Sequence, residues 1–600
     1  MKLRIVGLLA GLALAAGATN AAAGPTVDIG DVVIDGTVSP SNANVDEYFG
    51  IPYASQKRWM PPAKAAALTS PFDAEDYATV DACPQSSPVV VGTHTLPQSE
   101  DCLSLNVFVP ASATPTSKLP VYVFIHGGEL QLGSGVEYFP VNFVGTNDII
   151  AVTINYRLGA LGFLAQSAIA AAKTNSFQNV GDAGDYGLMD QQFALQWVKK
   201  NIAAFGGDPG KVTVGGQSAG GSSVLLNLVS PGASGLFRGA IVESGAFQLH
   251  NLTTQAAYET AYGNPFVNAV LAATGTVDGI NCASLTTSSP AAKIAKCLNG
   301  ATVATLLTAQ TNVFGAYGIA PDTGTLIVPN GLQQALTAGD FPHIPVLIGS
   351  DLNEGRYFEP GEIPFAAGFS TIVAAGGPAN YDLANANSFC SGAVCTYQQE
   401  VNLFLTNQGV PAGDNTTAFD KTLANTDYKL ADYPDQYLAG SAPTADAGLA
   451  QIGTDHKFAC NALDATTDLA GFSTVYAYEF QDPLAPPTLA EPPVTTAPNN
   501  QYGYATASEH GAELQFLFLF PFTDSLSADE QQLEATMQSY WGNFVKNGNP
   551  AKGATVPKWP AYGTKGEVLK LVPGPASPSA FTTFGKEHFC TIWEPIISTE

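Results

Sequence analysis

Basic residues are scarce in this chain: Lys and Arg number 24 against 51 Asp and Glu in 600 residues, a formal charge of -27. A surface so negative repels phosphate backbones and anionic headgroups, which argues against nucleic acid and anionic membrane partners. The charge reads as a solubility or acidic-habitat feature rather than a steering field. No apolar run reaches the roughly 20 residues that span a bilayer, and the tail Ile596-Ile597-Ser598-Thr599-Glu600 carries no anchor signal. The one apolar stretch of note, Ile5 to Ala16, is only about a dozen residues. It follows Met1-Lys2-Leu3-Arg4 and precedes Ala21-Ala22-Ala23, the order of a signal peptide over residues 1–23, and predicts export to the extracellular space or periplasm. Metal motifs are missing as well, with no C-x-x-C pair and no H-E-x-x-H helix, so neither a metal nor another cofactor is expected. Histidines number only seven: His94, His126, His250, His343, His456, His510 and His588.

Against these absences stands Gly216-Gln217-Ser218-Ala219-Gly220-Gly221, preceded by Val212-Thr213-Val214 and followed by Val224-Leu225-Leu226. That order predicts strand, sharp turn, helix. In a G-x-S-x-G elbow the flanking glycines permit a close backbone approach, and the turn lifts the serine hydroxyl clear of the sheet. Ser218 is the predicted nucleophile; the alternative is a glycine-rich turn without chemistry. A dinucleotide loop is excluded here, because the G-x-G-x-x-G spacing is absent.

A serine nucleophile needs a base, an acid to orient it, and N–H donors aimed at the developing oxyanion. The run Leu119-Pro120-Val121-Tyr122-Val123-Phe124-Ile125 reads as a buried strand that enters His126-Gly127-Gly128-Glu129, an HGG-type oxyanion turn, and Ala219 after the nucleophile supplies a further donor. The order nucleophile, acid, base demands a downstream histidine. His510, in Ser508-Glu509-His510-Gly511-Ala512-Glu513 before the apolar run Leu514 to Phe520, is favoured over His456 and His588, each near a cysteine. For the acid, the strand Pro345 to Gly349 ends in Ser350-Asp351-Leu352-Asn353-Glu354-Gly355, which offers Asp351 or Glu354.

The chain resembles the type B carboxylesterases, the family of cholinesterases, bile-salt-activated lipase and many bacterial esterases. The resemblance rests on Phe49-Gly50-Ile51-Pro52-Tyr53-Ala54, Arg58-Trp59-Met60-Pro61-Pro62, Glu100-Asp101-Cys102-Leu103-Ser104-Leu105-Asn106-Val107, Tyr156-Arg157-Leu158-Gly159 and a long-helix segment from Gly187 through Phe205-Gly206-Gly207-Asp208-Pro209. It implies Ser218 as nucleophile, Glu354 as acid, His510 as base, and Gly128, Glu129 and Ala219 as the oxyanion hole. Two departures bear on the substrate pocket: Gln217 stands where the family usually has glutamate, and Glu129 where it has glycine or alanine. Eight cysteines suit an exported chain, although spacing alone fixes no pairing. The resemblance implies Cys83–Cys102, Cys282–Cys297 and Cys460–Cys590, leaving Cys390 with Cys395.

Predicted strands such as Asp148 to Ile154 and Gly239 to Val242 alternate with helices, which argues an α/β-hydrolase fold: a large, mostly parallel sheet with helices on both faces and long rim insertions at Asn251 to Thr311, Phe365 to Asp446 and Asp482 to Asn500. Residues 24–600 are expected to form one domain. The sequons at Asn251 and Asn415 would carry glycan only in a eukaryotic secretory pathway. The expected activity is hydrolysis of carboxylic esters through an acyl-enzyme. The alternatives are a lipase or sterol esterase on long-chain esters, and a cholinesterase-like binding protein without catalysis, which would lack a triad residue. A choline-ester specialist is disfavoured: the stretch from Cys83 to Cys102 holds no aromatic residue for a quaternary ammonium, and Trp59, Trp197, Trp541, Trp559 and Trp593 fall in scaffold motifs.

Overall fold

A computed structural model describes residues 24–171, 184–250, 252–314, 321, 323–325, 327–355, 451, 453–482, 484–486, 508–520, 526–553, 556–574 and 578–597. Residues 1–23, expected to be a signal peptide, Cys390 and Cys395, Asn251, Asn415, the expected insertion 365–446 and most of 482–500 lie outside the described residues.

Eleven strands of the described chain share one sheet: β1 (Thr37–Val38), β2 (Val45–Pro52), β3 (Ser104–Pro110), β4 (Leu119–Ile125), β5 (Ile150–Ile154), β6 (Gly207–Gln217), β7 (Gly239–Glu243), β8 (Val346–Asp351), β9 (Val475–Phe480), β10 (Val568–Leu571) and β11 (Ser579–Phe581). Across the sheet they run β11-β10-β9-β8-β7-β6-β4-β5-β3-β2-β1. The strands from β10 to β5 pair in parallel, and antiparallel pairs finish both ends.

The β-branched and aromatic run of β4 suits a strand covered on both faces. Val121, Val123 and Ile125 join one hydrophobic cluster, Tyr122 and Phe124 another, as the period of two requires. Three helices supply the first cluster: α1 (Tyr186–Asn201) with Leu195 and Val198, α2 (Ala219–Val229) with Val224 and Leu225, and α3 (Cys460–Ala470) with Ala465 and Leu469. The second cluster takes Met537, Tyr540, Trp541 and Phe544 from α4 (Ala528–Asn547). Helices therefore cover both faces. Each fully buried large apolar side chain contributes about 1.5–3 kcal/mol, so both faces must stay covered for the sheet to persist. Helix α4 is delimited by a capping box, Ser527 with Glu530, and by Gly548 in the left-handed region at φ 68°.

Two boundaries differ from the sequence reading. Strand β5 starts at Ile150, because Asp148 turns left-handed (φ 49°) behind the short helix Val141–Asn147. The long-helix segment stops being helix at Asn201: Gly206 (φ 90°) reverses the chain, and Gly207 already opens β6.

Strand β4 lies between β5 and β6, so the chain leaves β5 and crosses to the other side of β4. This is a topological switch point, where the crevice at the carboxyl ends of the strands opens. Register carries the functional turns to that rim, since Ile125 pairs with Gly216, Gln217 with Glu243, and Glu243 with Gly349. Three predicted disulfides are present, Cys83–Cys102, Cys282–Cys297 and Cys460–Cys590. Among the described residues, no helix is long and apolar enough to cross a membrane.

Candidate active site

Ser218 sits between β6 and α2 at φ 57°, ψ -127°, a conformation that a residue with a Cβ rarely adopts. Its neighbours explain how. A Cβ on Gly216 would come within 2.5 Å of the Gly220 carbonyl, and one on Gly220 within 2.0 Å of the Ile125 carbonyl oxygen. Only glycine fits at either place. The Ser218 N–H donates to the Glu243 carbonyl at 2.8 Å, and the Ser218 carbonyl accepts from Ser222 N–H at 2.9 Å, so the turn is pinned on both sides. Ala219 follows as the first residue of α2, where a helix offers its N–H no internal acceptor.

The turn after β4 is also left-handed, at Gly128 (φ 99°), Glu129 (φ 56°) and Leu130 (φ 56°). Its tightness comes from the Gly128 carbonyl, which accepts from the N–H groups of Gln131 (2.9 Å) and Leu132 (2.8 Å). Gly127 brings the turn against the elbow: a Cβ there would lie 2.9 Å from the Gln217 carbonyl oxygen and 3.0 Å from Ser218 Cβ. Glu129 is part-buried and Gly128 likewise. His126 is buried, stacks on Tyr156 at 4.5 Å, and donates from Nδ1 to the Gly127 carbonyl at 2.8 Å. Burial pulls its ionisation down to about 4, so it stays neutral and serves the turn as a strut.

His510 meets Glu354, with Nδ1 2.5 Å from Oε2. The other oxygen of Glu354 accepts the Asp351 N–H at 2.8 Å. Asp351 Oδ2 accepts the N–H groups of Gly511 (3.1 Å) and Ala512 (3.2 Å) and so ties down the loop that carries His510. Glu354 is fully buried and His510 is 3 % exposed. On the far side of the ring, Nε2 lies 3.3 Å from the carboxamide nitrogen of Gln217, the residue before Ser218. The Phe458 ring packs 4.9 Å from the imidazole, and Phe247 lies 5.6 Å from Phe458.

Beneath this lies an acidic layer. Burial first, then the charges of Glu513 and Glu354, push Asp351 well above the ordinary carboxylate range. Asp351 Oδ1 and both carboxyl oxygens of Glu513 are buried without a hydrogen-bond partner among the described residues. Glu513 is pushed up to about 7, chiefly by burial. Glu243 is raised by burial and by Glu513, and its Oε1 accepts the Trp541 indole N–H at 2.8 Å.

The two rival histidines lie elsewhere. His588 is held between Asp455 (2.6 Å) and Glu479 (2.5 Å). Burial would pull it down, but the two carboxylates outweigh that and push it up to about 10, which leaves an imidazolium with no lone pair to act as a base. His456 is buried with its ring 5.3 Å from Trp593. Sequence reasoning missed Phe458 and Phe247, which have no motif, and the loop-tying task of Asp351. Glu513 could have been found from its place three residues after His510.

A strained serine elbow, an adjoining left-handed turn and a His–Glu pair at a switch point define a serine hydrolase of α/β-hydrolase fold. The chain belongs to the Carboxylesterase family, whose profile matches residues 23–593, and it is a carboxylic ester hydrolase. It is 31% identical over 535 residues to the para-nitrobenzyl esterase of Bacillus subtilis (strain 168), covering 86% of this chain and 89% of that protein. It is 28% identical over 578 residues to a cocaine esterase of Homo sapiens, covering 93% and 88%. Among solved structures, the Aspergillus niger esterase EstA superposes with a TM-score of 0.68 at 25% identity, covering 96% of this chain and 98% of that one.

Proposed function

We propose that Ser218, His510 and Glu354 form the catalytic triad of an exported esterase, folded as one domain over residues 24–600. The observation that carries this reading is the 2.5 Å contact of His510 Nδ1 with Glu354, made on a ring whose other nitrogen faces the residue preceding a strained serine. His510 Nε2 takes the proton of Ser218 Oγ, and the alkoxide attacks the ester carbonyl. The oxyanion is held by the N–H groups of Gly128, Glu129 and Ala219. Collapse expels the alcohol, which receives the proton from His510. Water, deprotonated by His510 in turn, then attacks the acyl-Ser218 carbonyl, and Oγ leaves with the proton returned to it. Glu354 stabilises the imidazolium in both halves. Glu129 adds a part-buried carboxylate side chain at the oxyanion turn, either turned into the protein or facing the substrate, where it would oppose negative charge and favour a cationic group.

Export is supported by the charged, apolar and small-residue order of residues 1–23 and by paired cysteines. Names such as para-nitrobenzyl esterase among the relatives favour small aryl and alkyl esters. A panel of p-nitrophenyl esters from acetate to palmitate tests this, with and without an oil–water interface. Short esters should be turned over best, with no gain at the interface, and Ser218→Ala should lose all of them. Preference for palmitate with interfacial activation would instead indicate a lipase.

A further inference from the structure

Glu47 and Phe49 stand two apart on β2 and so project from the same face of the sheet. Phe49 belongs there to a hydrophobic cluster against which Tyr77 and Phe139 pack. The three rings meet edge-on, with centroids 5.9 Å (Phe49–Tyr77), 6.0 Å (Phe49–Phe139) and 5.6 Å (Tyr77–Phe139) apart. Stacked rings would cover one another's faces, whereas edge-on packing leaves faces open, and a ring face carries the negative pole of its quadrupole. These rings line a cavity of about 370 Å³, to which Glu47, Glu75 and Asp76 bring three carboxyls. We propose that this cavity is a binding site for a small organic cation, an ammonium group carrying an aryl or alkyl body.

The cavity answers both halves of such a ligand. No basic residue lines it, and among the described residues Glu47, Glu75 and Asp76 form no ion pair with Lys or Arg. Glu47 is only 4 % exposed, and burial pushes its carboxyl up, so a cation brought against it restores the charge that burial disfavours. The acids do not converge as the ligands of a metal do: among the described residues no group of three acids, histidines or cysteines could hold a metal ion. A bulkier cation instead meets aromatic faces and carboxylates together. For the apolar body, Val38 and Leu519 both line the cavity and are 48 % and 39 % exposed. They are two of only five large apolar side chains so exposed among the described residues, and a third, Val90, adjoins the lining residue Val91. Exposed apolar surface gathered inside a polar rim marks a binding site. Register sets this site apart from the serine. Glu47 pairs with Phe108, Phe108 with Ala151 and Ala151 with Tyr122, a row three residues short of Ile125, after which the oxyanion turn begins. Strand β2 also stands four strands from β6, about 19 Å at a spacing of about 4.8 Å.

The probe is p-bromobenzyl-trimethylammonium. Crystals of the enzyme soaked with it should show an anomalous bromine peak in the cavity bounded by Phe49, Tyr77 and Phe139, whereas p-bromobenzenesulfonate, an anion on the same ring, should give none there. In solution, calorimetric titration compares the wild type with Glu47→Gln, Asp76→Asn and Tyr77→Leu. Loss of either carboxylate should weaken binding about threefold or more, and loss of the Tyr77 ring about two- to fivefold. Asp76 is exposed, and an asparagine keeps the acceptor that holds the Ala78 N–H at 2.9 Å, so Asp76→Asn carries the test if another variant does not fold. Its turnover of p-nitrophenyl acetate should be unchanged. A bromine peak only elsewhere, the turn at Glu129 included, or an affinity of Asp76→Asn equal to that of the wild type, overturns the proposal.

Discussion

Ser218, Glu129 and Leu130 all hold positive φ without being glycine. Each such residue costs roughly 1–3 kcal/mol, and such strain persists only where surrounding contacts enforce it, which is typical of reactive turns. The same scale separates two neighbouring carboxyls. Glu354 contacts the imidazole while Asp351, a buried acid whose ionisation burial pushes up, holds the loop. Glu354→Gln should therefore fold and lose on the order of 10⁴ in kcat, as an amide in a triad carboxylate's place does. Asp351→Asn keeps an acceptor for Gly511 and Ala512 and leaves the Glu354 contact with the ring in place, so its kcat should fall less than about tenfold. Equal losses in steady-state kinetics would contradict this division. From sequence alone both acids fitted, because three residues apart on a strand-end loop either can reach the same rim. Only the loop's course decides which one turns inward.

At the scale of elements, the elbow is legible in the sequence because its constraint is local. Gly216 and Gly220 are dictated by contacts 2.0–2.5 Å from where a Cβ would stand, and both contacts belong to adjoining strands or the turn itself. Gly220→Ala would drive a methyl into the Ile125 carbonyl. It should lower the melting temperature by several degrees and abolish turnover together, the cost being at least about 3 kcal/mol for a shift of packed backbone. An active, equally stable Gly220→Ala protein would show that α2 can retreat from β4. Strand β4 was equally readable, its last five residues, Val121 to Ile125, being uniformly β-branched or aromatic. The end of α1 was not: Ile202 to Phe205 continue the apolar pattern, and the chain turns because Gly206 alone can take φ 90° there. Phe458 was unreadable for a different reason, since its contact with His510 joins segments 52 positions apart and leaves no periodic trace.

Over the whole molecule, buried acids set the response to pH. Glu137 and Glu513 are both pushed up to about 7 by burial, from an ordinary value of 4.5. Below 4.5 folded and unfolded chains both hold these protons. Between 4.5 and 7 the unfolded chain ionises first, so stability falls, by on the order of 3 kcal/mol for each group. His588 extends the trend: its folded value is raised to about 10, so its contribution is complete below 6.5 and is lost as pH rises through 10. The melting temperature should decline steadily from pH 5 to pH 10, and a maximum near pH 8 in calorimetry would contradict this. The fold class and the motif-bearing rim were readable across the chain because parallel strands announce themselves by apolar runs, whereas the acidic layer needed three dimensions to assemble. The account depends most on Ser218. Incubating the wild type and Ser218→Ala with an organofluorophosphonate, then mapping the modified peptide by mass spectrometry, tests it directly. One adduct on Ser218, absent from the variant, is the predicted result, and an adduct on any other residue, or continued labelling of Ser218→Ala, would contradict it.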